Sequence, residues 1–137
     1  MDLEDAAGHL RDHVQAALAV VDDDGFPHVS RIVQHFDGVI SRISLTEDRV
    51  KTGHLRARPR ATLHVRGDDD WHWVSVVADA ELSPVAAAPD DEVATELLEV
   101  YEAIAGPHDD PQQFRRDMVA QGRLVLRLTP RRVYGQL

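Results

Sequence analysis

Cysteine is absent from the 137 residues, so neither a disulfide framework nor a thiolate metal site holds this chain together. Also missing is any apolar run as long as a membrane span. The first residues, MDLEDAAGHLRDH, lack the basic-then-apolar order of a secretory leader, and a soluble cytoplasmic protein is the expectation. There is no Gly-rich phosphate loop, so a phosphate would have to be held by side chains and helix-start amides. No Gly-x-Ser-x-Gly elbow points to a serine nucleophile. Positive charge is scarce: 15 Lys and Arg against 24 Asp and Glu give a net charge of −9, which speaks against nucleic-acid binding. At this length one domain is expected, residues 1–137, burying roughly two-thirds of its unfolded surface.

The scarce positive charge is concentrated. Between Arg49 and Gly67 lie Arg49, Lys51, Arg56, Arg58, Arg60 and Arg66, with no Asp or Glu among them. A basic island on an acidic chain implies either an anionic ligand held locally or a solvated face that evens out charge. The segment before it alternates with period two: Val39, Ser41, Ile43 and Leu45 on one side, Ile40, Arg42, Ser44 and Thr46 on the other. Glu47 and Asp48 then occupy places suited to the N-cap and first turn of a short helix that Pro59 closes after Arg58. A second strand carries Ala61, Leu63 and Val65 on one face and Arg60, Thr62, His64 and Arg66 on the other. The polar faces of these two strands are expected to line one groove.

The rest of the chain reads as scaffold. Leu3 to about Gln15 suits a helix through Ala6, Leu10 and Val14. Ala17 to Val21 and Pro27 to Phe36 read as strands, with DDDGF and Asp37-Gly38 as turns. The triple aspartate Asp68–Asp70 reads as a solvated turn. Trp71 to Leu82 alternates, placing Trp71 and Trp73 on one face. Asp90 opens a packing helix through Val93, Leu97, Val100, Tyr101 and Ile104, which Gly106 stops. A shorter helix after Asp110-Pro111 carries Phe114 and Met118. Gly122 to Thr129 is the last strand, ended by Pro130, with a tail that returns towards the sheet. Six strands at hairpin spacing with short helices predict a mainly β, antiparallel barrel with helical caps.

The order LAVVDDDGFPHVS, DGVISRISLT, DRVKTGHLRARPRATLHV, a strand ending DAEL and a terminal TPRRVYGQ resembles the flavin and deazaflavin (coenzyme F420) split-barrel oxidoreductases related to pyridoxamine 5'-phosphate oxidase. The resemblance runs from about Leu18 to the end. It implies a six-stranded antiparallel split β-barrel and a homodimer whose sites lie between two subunits. It also implies cofactor phosphate contacts at Thr46, Arg49 and Lys51, with Ser44 further along the same strand face towards the ring. Departures accompany it: Leu45 stands where many relatives have a second Thr and His54 where they have Asn. Ser30, Arg31, Ile32 and Val33 replace a Ser-Pro-Val-aromatic run. Val33 and His54 occupy cofactor-facing positions in that pattern.

The reading is therefore an oxidoreductase that moves a hydride between bound F420, or alternatively FMN, and a small organic substrate. The cofactor carries the chemistry, and no catalytic side chain is assigned. The short chain and the Lys51 to Leu55 spacing look more like the F420 branch of that family, and the acidic tail of F420 would use Arg56, Arg58 and Arg60. Trp71 and Trp73 are candidates for the dimer contact or for stacking on a ring. Eight histidines keep open a repurposed, non-catalytic barrel that binds a ligand such as haem. His9 and His13, four apart, lack the glutamate of a zincin motif, and no metal site is assigned.

Overall fold

A computed structural model describes residues 1–137. In chain order the elements are α1 (Leu3–Asp12), β1 (Gln15–Val21), β2 (Pro27–Val33), β3 (His35–Phe36), β4 (Ser41–Thr46), α2 (Val50–Ala57), β5 (Arg60–Arg66), β6 (Trp73–Leu82), α3 (Glu92–Ala105), α4 (Pro111–Ala120) and β7 (Arg123–Gln136). The strands form one antiparallel sheet in the order β2-β1-β5-β6-β7-β4-β3. Its two end strands, β2 and β3, are joined through the single residue Gln34. The sheet must therefore curl until its opposite edges meet, and the result is the split barrel.

Seven strands replace the six expected, because Gln34 breaks the run from Pro27 to Phe36. It is fully buried, and its side-chain amide donates to the carbonyls of Leu10 (2.9 Å) and His13 (2.8 Å) at the end of α1. Those carbonyls would otherwise be orphans of a helix terminus. This ties α1 into the mouth of the barrel, where Ala6 and Leu10 join the main core.

Period-two alternation decides what fills the interior. Leu18 and Val20 of β1, Ile43 and Leu45 of β4, Leu63 and Val65 of β5, Val74 and Val76 of β6 and Leu124, Leu126 and Leu128 of β7 point inwards. Asp22, through its side chain, accepts the amides of Asp24 and Phe26, and Gly25 takes φ 87°, closing the β1–β2 hairpin. Asp37 does the same for Val39 and Ile40 beside Gly38, at φ 103°.

Four local expectations are corrected. Arg49, not Glu47 or Asp48, is the N-cap of α2 and no side chain caps it; Glu47 instead pairs with Arg56. Asp91, one residue after Asp90, caps α3 by accepting the amide of Ala94. Trp71 precedes β6, in a turn where the Asp69 carboxylate accepts its amide, and is 71% exposed. Pro130 does not end β7: it lies opposite Ala78, at a bulge between Val77 and Ala78 that absorbs the missing amide donor, and pairing continues to Gln136.

Helices α3 and α4 form a hairpin over the outer face of β4 and β7, with a small core of their own. Val93, Leu97, Leu98, Phe114 and Met118 close on Val125, the one β7 residue in that cluster. Polar contacts pin the hairpin down. Arg127 donates to Glu81 (2.6 Å) and to Glu96 (3.0 Å from Nε), and Arg42 approaches Glu96 (3.6 Å) and Glu99 (3.4 Å).

Candidate functional site

A cavity of about 680 Å³ opens at the seam where the curled sheet brings β2 beside β4, under the α3–α4 hairpin. Its volume is in the range of sites that hold a small molecule or cofactor. One wall is polar and comes from the barrel: Ser30, Arg31, Ser44, Thr46, Arg49, Lys51 and Arg123. The other is apolar and comes mainly from the hairpin, through Leu97, Val100, Tyr101, Ile104, Phe114 and Met118.

Four cations line this cavity and no carboxylate does. None of the four forms an ion pair, whereas Arg42, Arg56, Arg58, Arg127 and Arg131 all have carboxylate partners. In a chain of net charge −9 such a concentration of unneutralised positive charge creates a local field that attracts anions. Lys51 is the only lysine in the chain, and its ammonium donates to the Ser30 hydroxyl at 2.9 Å, bridging α2 to β2. Burial, and then the nearby Arg49 guanidinium, pull its pKa below the usual lysine range. Arg49 and Lys51 are the N-cap and second residue of α2, so the open helix start adds its partial positive charge to theirs. Thr46 accepts the Thr52 hydroxyl through its carbonyl (2.8 Å), which fixes the strand-to-helix corner.

Of the residues expected from the sequence, Val33, Ser44, Thr46, Arg49 and Lys51 come together in this cavity. His54 does not line it: one turn further along α2, it packs edge-on against His28 with ring centroids 5.7 Å apart. The expected groove between the polar faces of β4 and β5 is not formed, because β6 and β7 separate those strands. Arg56 and Arg58 are not surplus charge either: Arg56 pairs with Glu47, and Arg58 with Asp23 at 2.9 Å.

Sequence reasoning missed Arg123 and the hairpin wall. Arg123 stands opposite Thr46 in the β4–β7 ladder and donates to Gln121 (2.9 Å) and Ser44 (3.3 Å). Its only sequence signal was its place among β7 residues facing away from the core. Tyr101, 5.0 Å from the Phe114 ring, sat on a stripe that periodicity alone reads as packing.

A seven-stranded sheet curled until its edges meet, with a cavity lined by four cations at the seam, defines a split barrel. The family model described as pyridoxamine 5'-phosphate oxidase matches residues 3–137, and the chain belongs to that family. Among solved structures it is similar to an F420 reductase, at 21% identity and TM-score 0.72 over 94% of this chain and 95% of that one. A conserved hypothetical protein from Mycobacterium tuberculosis matches at 23% identity and TM-score 0.73, covering 97% and 82% of the two chains. The haem storage protein HutZ from Vibrio cholerae matches at 16% identity and TM-score 0.70, covering 99% and 96%. At these identities the likeness is one of fold. No helix of the chain is long and apolar enough to cross a membrane.

Proposed function

We propose that the protein is an oxidoreductase that binds a phosphate-bearing deazaflavin or flavin, F420 ahead of FMN, at the β2–β4 seam and reduces or oxidises a small organic molecule there. The observation that carries this reading is the cavity's four unpaired cations without a carboxylate, beside an apolar wall. The donor set fits such a group. Arg49 and Lys51 would supply two charges for a phosphate, the Thr46 hydroxyl would add a neutral hydrogen bond, and Val33 and Ser44 line the same cavity, where they would contact the rest of the cofactor. When bound, the cofactor would supply hydride chemistry. The chain's own contribution is to orient it, to neutralise its phosphate and to exclude water with the hairpin wall. A second copy of the chain completes the site in this proposal.

A barrel that stores or carries haem is the competing reading. None of the residues lining the cavity is a histidine, so haem held there would have no imidazole ligand. Titrating the purified protein with F420, FMN and haem, following each chromophore, separates the readings. F420 is expected to bind tightly, FMN more weakly, and Lys51→Ala to weaken both by at least about tenfold, the order of one charge-assisted hydrogen bond. Haem binding alone, or no binding of any of the three, sinks the oxidoreductase reading.

A further inference from the structure

We infer that Arg123 anchors a second anionic group, separate from the cofactor phosphate, and that the substrate is an organic carboxylate with a flat apolar body. This deepens the proposed function by naming the substrate class.

Charge balance is the first support. The cofactor phosphate matches Arg49 and Lys51, and an acidic tail such as that of F420 would draw on Arg31, which leaves Arg123 in the cavity facing no carboxylate. Position is the second. Arg49 and Lys51 lie beyond the end of β4, at the start of α2, whereas the Arg123 guanidinium reaches back along β4 to Ser44, its hydrogen-bond acceptor at 3.3 Å. Ser44 precedes Thr46 by two residues, roughly 7 Å along a strand. Positive charge is thus laid out in two places rather than one.

The third support is how Arg123 is held. Both its hydrogen bonds go to neutral oxygens, from Nε to Gln121 and from one terminal nitrogen to Ser44, which fixes the plane without cancelling the charge. Its other terminal nitrogen has no acceptor within the protein, and the planar fork suits a carboxylate. Four residues on, Arg127 shows the contrast: Glu96 and Glu81 neutralise it, as expected of a cation with a structural task. The cavity wall nearest in the chain to Arg123 is α4, with Phe114 and Met118, and Tyr101 stacks at a tilt on Phe114. A carboxylate on Arg123 therefore shares one cavity with aromatic and thioether surface that can cover an attached apolar ring.

The test uses benzoate, its neutral isostere benzamide and inorganic phosphate as probes, each titrated calorimetrically into the intact protein at low ionic strength. Benzoate is expected to bind at least about tenfold more tightly than benzamide. Arg123→Gln should erase that preference while changing phosphate affinity less than threefold. Lys51→Gln should do the reverse, and Arg123→Lys, which keeps charge but not the fork, should retain part of the preference. A melting temperature for each variant excludes misfolding. Absence of saturable benzoate binding, equal affinity for benzoate and benzamide, or loss of phosphate rather than benzoate in Arg123→Gln each overturns the inference. The cofactor titration reads separately: failure of F420 and FMN to bind would remove the redox reading and leave a carboxylate pocket, whereas failure of benzoate leaves the cofactor site intact.

Discussion

Lys51 illustrates how one residue answers to two demands. Its lowered pKa follows from burial and from Arg49, and both raise the cost of keeping it charged in the unliganded fold. Between the lowered value and the ordinary lysine value the unfolded chain binds more protons, so this group's contribution to stability rises with pH across that window. Anion binding runs the other way, because a phosphate favours the ammonium. Phosphate affinity measured by calorimetry should fall as pH rises towards the ordinary lysine range, and Lys51→Arg should flatten that dependence, since a guanidinium stays charged. A flat profile in the wild type would take Lys51 out of the site. Gly135 carries a different residue-scale expectation. A Cβ there would lie 2.2 Å from the Trp73 carbonyl oxygen and 2.9 Å from the Val74 Cα, both backbone atoms that cannot rotate away. Gly135→Ala should therefore cost about 2 kcal/mol or more in urea unfolding, although Gly135 lies near the exposed end of β7.

At the scale of elements, the α3–α4 hairpin is a wall of the cavity, attached to the barrel by the apolar cluster around Val125 and by the ion pairs of Glu96 with Arg127 and Arg42. The Glu96 carboxylate is held below its usual range, first by the hydrogen bond from Arg127 and further by the charges of Arg127 and Arg42, against an opposing push from burial. A carboxylate with a depressed folded pKa stabilises the fold above its unfolded pKa and loses that contribution as pH falls through the folded value. Thermal melts should show this loss below the ordinary glutamate range. Glu96→Gln should cost about 1–2 kcal/mol at neutral pH, less than a fully buried pair because both side chains keep some solvent contact. It should reduce the acid sensitivity, the remainder coming from carboxylates such as Asp37 and Asp91 that are also held below their usual range, and no change in the melt would show that the small apolar cluster around Val125 holds the hairpin by itself. Sequence periodicity located these helices within a residue or two, since Asp91 and Asp110 are cap residues and Gly106 a stop. It could not show that one flank of α3 faces a cavity, because an apolar stripe reads the same against a core and against a ligand.

For the whole molecule, β2 is an edge strand with Val29 62% and Val33 46% exposed, next to the cavity mouth. Such apolar exposure beside a site is consistent with cover by a second copy. Sedimentation at micromolar concentration is expected to give a dimer, and Trp71→Glu, a charge on a 71% exposed indole, is expected to shift it towards monomer. A monomeric wild type would overturn the shared-site proposal, and an unshifted Trp71→Glu would place the contact elsewhere.

The sequence by itself determined the alternation of every long strand, the turns at Asp22–Phe26 and Asp37–Gly38, and the basic strand-to-helix corner of Thr46, Arg49 and Lys51. Those features depend on neighbours in the chain, where side-chain period, positive φ and charge spacing act directly. Only the tertiary structure decided which cations remain free. Arg56 and Arg58 meet Glu47 and Asp23, whereas Arg31 and Arg123 meet no carboxylate, and curling of the sheet through Gln34 brings β2 against β4. The physical reason is that neutralisation of a charge is set by what lies within a few ångströms in space, and strands far apart in sequence supply those neighbours.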